Sequence, residues 1–225
     1  MDSASTLQQV LESNGFQGLS PQLKVALFLG GMALISSALV TMTAFTRIVI
    51  VLSFVRRAIA TQEIPPTQVI LGLSLFLTLF VMGPTMSQIE QDAIRPYLED
   101  RITGDAAFEN GSAALQQFML RQTRKADIAL FASMAQIESI STPQDTPIRV
   151  LIPAYVISEL KTAFIMGFCL YLPFMLIDLV VSVILMSLGM MMMPPMVIST
   201  PFKILLFVMV DGWQLIAKVL SMSFH

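Results

Sequence analysis

A single cysteine and a single histidine occur in the 225 residues of this chain. Cys169 alone cannot close a disulfide within the chain, which excludes a cysteine-stapled scaffold. His225, at the final position, supplies neither a catalytic triad nor a multi-ligand metal site. No glycine loop of the phosphate-cradling or dinucleotide-binding type occurs either, so no catalytic residue, cofactor or metal is expected and the chain reads as a non-enzyme. Charge is equally scarce. Lys and Arg number 13 and Asp and Glu 15, together 12% of residues, about half the share in a soluble domain. A net charge of −2 offers no broad basic surface to neutralise phosphates, which argues against nucleic acid. Residues 1–20 are polar, with Asp2 and Glu12, and lack the basic and apolar regions of a secretory signal. What the chain has in abundance is apolar surface, 55% hydrophobic residues, and its solvent is expected to be lipid.

The spacing of charges sets out the organisation, because a helix needs about 20 apolar residues to cross the hydrocarbon core. After a polar segment at 1–24, the 22 residues from Val25 to Thr46 carry no charge and predict a first span. Ile64 to Ile89 is also uncharged; Pro65 and Pro66 suit a helix start and Gly83-Pro84 a kink or end, so the helix is expected from Thr67 to Met82. Between these two, 47–63 reads as a short basic loop with Arg47, Arg56 and Arg57, which the bias of basic loops keeps in the cytoplasm. The first domain of apolar helices is thus 25–89.

Residues 90–149 form the one long polar region, with nine acids and six bases, and are expected on the extracytoplasmic side. Thr103-Gly104-Asp105 and Glu109-Asn110-Gly111 resemble turns. Ser112 then suits the cap of a helix whose Ala126, Leu130, Met134 and Ile137 recur at helical spacing, while Arg121, Arg124 and Lys125 lie on a solvated face. Pro143 and Pro147 close the region. The remainder, 150–225, is apolar. From Thr162 to Phe202 the only charge is Asp178, and no Gly or Pro beside it makes a turn. A helix from about Ser158 to Leu188, bent at Pro173, competes here with two short spans. Gly189 and Pro194-Pro195 break the next connection, and Pro201 opens a last segment toward Leu220.

A charged side chain at the centre of a bilayer costs about 2.5–3.5 kcal/mol on insertion scales, so Asp178 must face protein or water. It suits an ion pair with Lys203 or Lys161, or a direct part in transport. Glu159 and Lys161 are two residues apart and point to different faces of one helix, which implies partners on other helices or subunits. Inward charges with no adequate partners within one chain are the sequence argument for assembly with copies of the chain. Met190, Met191, Met192 and Met193 lie between Gly189 and Pro194-Pro195. Four consecutive residues cover every direction around a helix and cannot form one packed stripe. Their unbranched thioethers suit either filler in an apolar core or, repeated around a ring, a deformable constriction that excludes water.

Several stretches together closely resemble one family. TAFTRIVIVLSFVRRAI, PPTQVILGLSLFLTLFVMGP, LIPAYVISELKTAF, LPFMLIDLVVSVILMSLGMMMMPP and PFKILLFVMVDGW are similar to the FliP/SctR family of type III secretion export-gate proteins, from about residue 40 to 215. QQFMLRQTRKADIALFASMA and the closing KVLSMSFH resemble its flagellar branch more than its virulence-type branch. A signal peptide, which many flagellar members carry, is not recognisable here. The resemblance implies an all-α fold of multi-pass hydrophobic helices, kinked and broken, assembling into a helical, conical ring. It implies a homo-oligomer, a pentamer, with FliQ and FliR in the bacterial inner membrane, at the flagellar basal body, with FlhA and FlhB nearby. Unfolded flagellar proteins would pass through it, driven by proton-motive force. Met190 to Met193 would then be the gasket of the channel, and Glu159, Lys161, Asp178, Lys203 and Asp211 would serve subunit packing. The competing class, a secondary transporter or small-solute channel, commonly shows inverted repeats, and no matching halves occur here. A structural anchor with no conduit would leave the methionine run without a role.

Overall fold

The computed structural model describes residues 20–60, 64–137, 143–190 and 193–224. These are overwhelmingly helical, with no strand among them. In chain order the helices are α1 (Pro21–Thr41), α2 (Phe45–Ala58), α3 (Thr67–Ile89), a π segment (Glu90–Ile94), α4 (Arg95–Leu98), α5 (Gly104–Gln122), α6 (Lys125–Met134), α7 (Ile148–Ser187), α8 (Pro195–Met209) and α9 (Gly212–Met222). Two stretches are long and apolar enough to cross a membrane, Thr67–Leu98 and Ile148–Ser187. A third arises if α8 and α9, bent by 63°, count as one broken span.

Several expected boundaries move. α1 ends at Thr41, short of Thr46, and the chain restarts at Phe45 as α2. The expected basic loop 47–63 is therefore mostly helix. Its buried positions Ile48, Val51, Leu52, Val55 and Ala58 recur at three- and four-residue spacing, and this apolar stripe against the core outweighs the charges that flank it. Arg47 belongs to that buried face, so only Arg56 and Arg57 remain of the basic residues on which the orientation rested. Arg56 donates to Thr67 Oγ1 at 2.9 Å.

α3 does not end at Met82 but carries Pro84 in its interior and runs on into the π segment. A proline removes one helical hydrogen bond, which an apolar helix tolerates where neighbouring structure supports it. Two buried hydroxyls of α3 are satisfied along the helix itself, Ser74 donating to the Ile70 carbonyl and Thr78 to the Ser74 carbonyl, both at 2.7 Å. In the polar region, Thr103 rather than Ser112 is the cap, its Oγ1 accepting from the Ala106 amide at 3.4 Å. Glu109-Asn110-Gly111 is helical, and α5 and α6 are two helices where one was expected.

Two compact units divide the chain, 1–43 with 82–155 and 44–81 with 156–225. In the first, Phe118 and Tyr155 pack edge to face with centroids 6.2 Å apart, beside buried Met119, Leu151 and Ala154. The Tyr155 hydroxyl donates to the Thr43 carbonyl at 2.8 Å. In the second, α7 approaches α2 closely at Gly167, where an added Cβ would lie 2.6 Å from Phe54 Cγ. Phe54 is held in turn by Phe164, edge to face at 5.4 Å. α7 is one unbroken helix of 40 residues through both Pro173 and Asp178. At about 1.5 Å per residue it is about 60 Å long, about twice a hydrocarbon core.

Gly167→Ala is expected to lower stability by about 1–3 kcal/mol through overpacking against Phe54. Gly72→Ala, where nothing lies within 4 Å of the new Cβ, should be neutral or mildly stabilising. Thermal unfolding of both variants in detergent checks the difference.

Candidate functional site

The second unit contains two charged centres. The first is built on Arg47, in the first turn of α2 and only 2% exposed. Its Nε donates to Glu159 Oε2 at 2.8 Å, and its Nη2 pairs with Glu159 Oε1. Glu159, on α7, is fully buried. The remaining terminal nitrogen, Nη1, donates to the Ser223 carbonyl at 2.8 Å and to Ser223 Oγ at 3.0 Å. Phe224 lies under the guanidinium with 3.9 Å from Cζ to its ring centroid. One planar cation thus ties together α2, α7 and the end of α9. Only arginine has donors on three nitrogens in a fixed plane and a face that stacks.

The second centre joins α7 to α8. Lys203 is 2% exposed, and its Nζ lies 2.6 Å from Asp178 Oδ2. Ser199, one turn earlier on α8, donates from Oγ to Asp178 Oδ1 at 2.6 Å. Ser199 and Lys203 share a face by their four-residue spacing, so both reach the same carboxylate. Of the two partners weighed for Asp178, the structure thus places it against Lys203; Lys161 is exposed. No buried side-chain nitrogen or oxygen among the described residues lacks a hydrogen bond.

These contacts overturn one expectation. Glu159 and Asp178 both find partners within the chain, so the premise that the apolar-region charges need another subunit fails. Residues two apart on α7 do face different ways: Glu159 points to α2 while Lys161 is outside the core. The sequence could not show that Arg47, 112 positions away, closes the pair.

The methionine run is described at its ends. Gly189, with φ of +75°, ends α7 in a left-handed turn, and the Met190 amide donates to the Leu185 carbonyl at 3.0 Å. Met190 and Met193 are 40% and 41% exposed. Met191 and Met192 lie outside the described residues, as does His225. Pro195 opens α8 at its first turn, after Pro194. Asp211 takes a left-handed conformation, φ 50°, at the bend between α8 and α9, with an exposed side chain. Among the described residues no group of three or more His, Cys, Asp or Glu is placed to hold a metal ion.

A model of the FliP family matches residues 28–220. The chain belongs to the FliP family. Relatives with the name flagellar biosynthetic protein FliP include that of Pectobacterium carotovorum subsp. carotovorum, 50% identical over 212 residues, 94% of this chain and 82% of the relative. That of Bacillus subtilis is 47% identical over 215 residues, 96% and 97% of the two chains. That of Aquifex aeolicus is 45% identical over 213 residues, 94% and 89%. The matched region of this FliP-family chain contains Arg47, Glu159, Asp178 and Lys203; Ser223 and Phe224 lie just beyond it. Sequence reading passed over Ser199, Ser223 and Phe224. Ser199 had a detectable signal, the Ser-x-x-x-Lys spacing on one face of α8, whereas nothing local marks Ser223 or Phe224.

Arg47→Lys keeps the charge but loses the fork, so the bonds to Ser223 and one bond to Glu159 should go, lowering the melting temperature in detergent although the net charge is unchanged. Asp178→Ala leaves Lys203 buried without its countercharge. Breaking such a pair costs about 3–5 kcal/mol, and the lower end applies here because Asp178 is partly accessible. The double change Asp178→Leu with Lys203→Met should recover most of the loss. Complex yield and thermal stability of the single and double variants distinguish a pair from two independent contacts.

Proposed function

We infer that the chain is a subunit of the flagellar protein-export apparatus in the bacterial inner membrane. The observation that carries this is the FliP-family match from 28 to 220, together with relatives named as flagellar biosynthetic proteins, of which two are covered over 82% and 97% of their length. The chain acts as a structural part of a conduit rather than as an enzyme. Its partners are further copies of itself, forming a pentamer, with FliQ and FliR, and FlhA and FlhB close by. Unfolded flagellar proteins cross through the assembly.

With both ion pairs satisfied internally, support for assembly shifts to apolar surface. Phe164, Phe168, Leu172, Leu176, Leu179 and Val183 recur every three or four residues on α7 and are all about half exposed or more. A stripe of this kind needs lipid or neighbouring subunits against it. Residues 90–149 form the extracytoplasmic part, and 150–225 the part that bears the Met-rich loop. In this reading Met190 to Met193, between two helix breakers, meet the same residues of other copies and seal the passage. Glu159, Lys161, Asp178, Lys203 and Asp211 serve packing. A virulence-type export-gate subunit would lack the flagellar relationship, and a small-solute transporter would be complete as one chain or a dimer.

Native mass spectrometry of the detergent-purified protein with its FliQ and FliR homologues is expected to give a homo-oligomer larger than a dimer. A stable monomer alone would sink the assembly. Replacing Met190 to Met193 together by Ala should raise ion conductance in cells without lowering complex yield. A variant that assembles and leaks no more than its parent makes the methionines simple packing.

A further inference from the structure

The first unit has a crevice of about 910 Å³ between the π segment, α5 and the 3-10 turn Pro143–Asp145, and its lining is unusual in chemistry. Six carboxamides border it: Gln88, Gln91, Asn110, Gln116, Gln117 and Gln144. One acid and one base, Asp92 and Arg121, balance each other, and no aromatic ring is present on which a sugar could stack. The neighbouring cavity of about 500 Å³, lined by Ile89, Ile94, Tyr97, Phe108, Leu115 and Ile148 among others, is almost wholly apolar. The two differ in kind.

A primary carboxamide offers two donors and an acceptor with the geometry of a peptide group. Two of the six already use it on main chain. Gln116 Nε2 donates to the Thr146 carbonyl at 2.9 Å and to the Gln144 carbonyl at 3.4 Å, which fixes the chain just after the 3-10 turn. Asn110 Nδ2 donates to the Asp92 carbonyl in the π segment at 2.8 Å. Gln88 and Gln117 are exposed and point at the same space, and no hydrogen bond of theirs is formed among the described residues. Gln91 is held only by Ser87 Oγ, at 3.2 Å.

We propose that this crevice binds the main chain of an extended polypeptide, the unfolded export substrate in transit, through Gln88, Gln91, Gln117 and Gln144. This rests on the reading of the chain as part of a protein conduit and adds a contact site to it. Amides read backbone groups, which all sequences share, while the two charges of the lining, Asp92 and Arg121, offset each other and its apolar part, Pro96, Ala113, Ala114 and Leu120, carries no aromatic ring. Such a site is sequence-blind and weak. Those properties suit a chain that must be held extended and then released.

The test uses the full chain in cells, with a photo-crosslinking residue placed by Gln117→p-benzoylphenylalanine and, separately, Gln91→p-benzoylphenylalanine. Phe108→p-benzoylphenylalanine reports on the apolar cavity, and Met190→p-benzoylphenylalanine on the methionine run. The probe is a flagellar export substrate fused to a tightly folded domain, which stalls in transit. Substrate adducts at Gln117 and Gln91 several-fold above those at Phe108 are expected, and adding Gln88→Leu with Gln144→Leu should reduce them several-fold. Substrate adducts at Met190 with none at the crevice would overturn this site and leave the conduit standing. Adducts at the crevice to another copy or a different subunit would make it an interface and overturn the proposal. No substrate adduct at any position would overturn the conduit reading, and the crevice with it.

Discussion

The Arg47–Glu159 contact is the constraint on which the second unit depends. A fully buried carboxylate is tolerable only if its charge is matched and both oxygens are bonded, and Arg47 does both in one plane. Because the same guanidinium also holds Ser223 and Phe224, the early helix α2, the first third of α7 and the end of α9 are fixed together. These elements are far apart in sequence. Apolar packing alone, which is non-directional, leaves the rotation of one apolar helix against another poorly specified. A bidentate pair specifies it.

The Asp178–Lys203 centre repeats this logic between α7 and α8 with a lysine instead. A flexible ammonium suits a carboxylate that stays partly accessible and shares its other oxygen with Ser199. The two centres make different demands, one of register and one of attachment. The methionines lie between Asp178 and Lys203 in sequence, so the two helices that flank them are tied by a charge pair as well as by the apolar contact of Phe174 with Phe207, centroids 6.4 Å apart. Val180, Ile184, Ile198 and Phe202 of these helices line an apolar cleft of about 470 Å³.

Helices were legible wherever composition alone decides them. The uncharged runs from Val25 and Ile64, and the apolar stretch around Asp178, follow from the rule that lipid demands satisfied backbone within each segment. The break at Gly189 was legible because a left-handed turn ends α7 there. Pro84 misled because proline marks an end in water but not always inside an apolar helix. The stretch 47–63 misled for a related reason: Arg47, Arg56 and Arg57 look alike on paper, yet one is a core residue and two are not. Nothing in local pattern separates a buried arginine from a solvated one; its partner 112 positions away does. Of the site, the charges could be picked out individually, but their pairing is a property of the fold.

That pairing bears on what the chain can do. Among the described residues, each buried charge in the apolar helices is neutralised by a near neighbour, and the buried side-chain polar atoms are all bonded. A group that relays protons or polarises a substrate must be left short of such satisfaction, or be able to exchange it. Arg47 with Glu159, and Lys203 with Asp178, hold geometry: the first joins α2, α7 and the end of α9, the second α7 and α8. What the chain leaves unsatisfied is of another kind: a half-exposed apolar stripe along α7, exposed thioethers at Met190 and Met193, and the free amides of a polar crevice. Under the proposed function those are the surfaces that lipid, neighbouring subunits and a passing chain would meet. In the proposed reading, the groups that would line a passage are the ones that the described part of the fold does not cover.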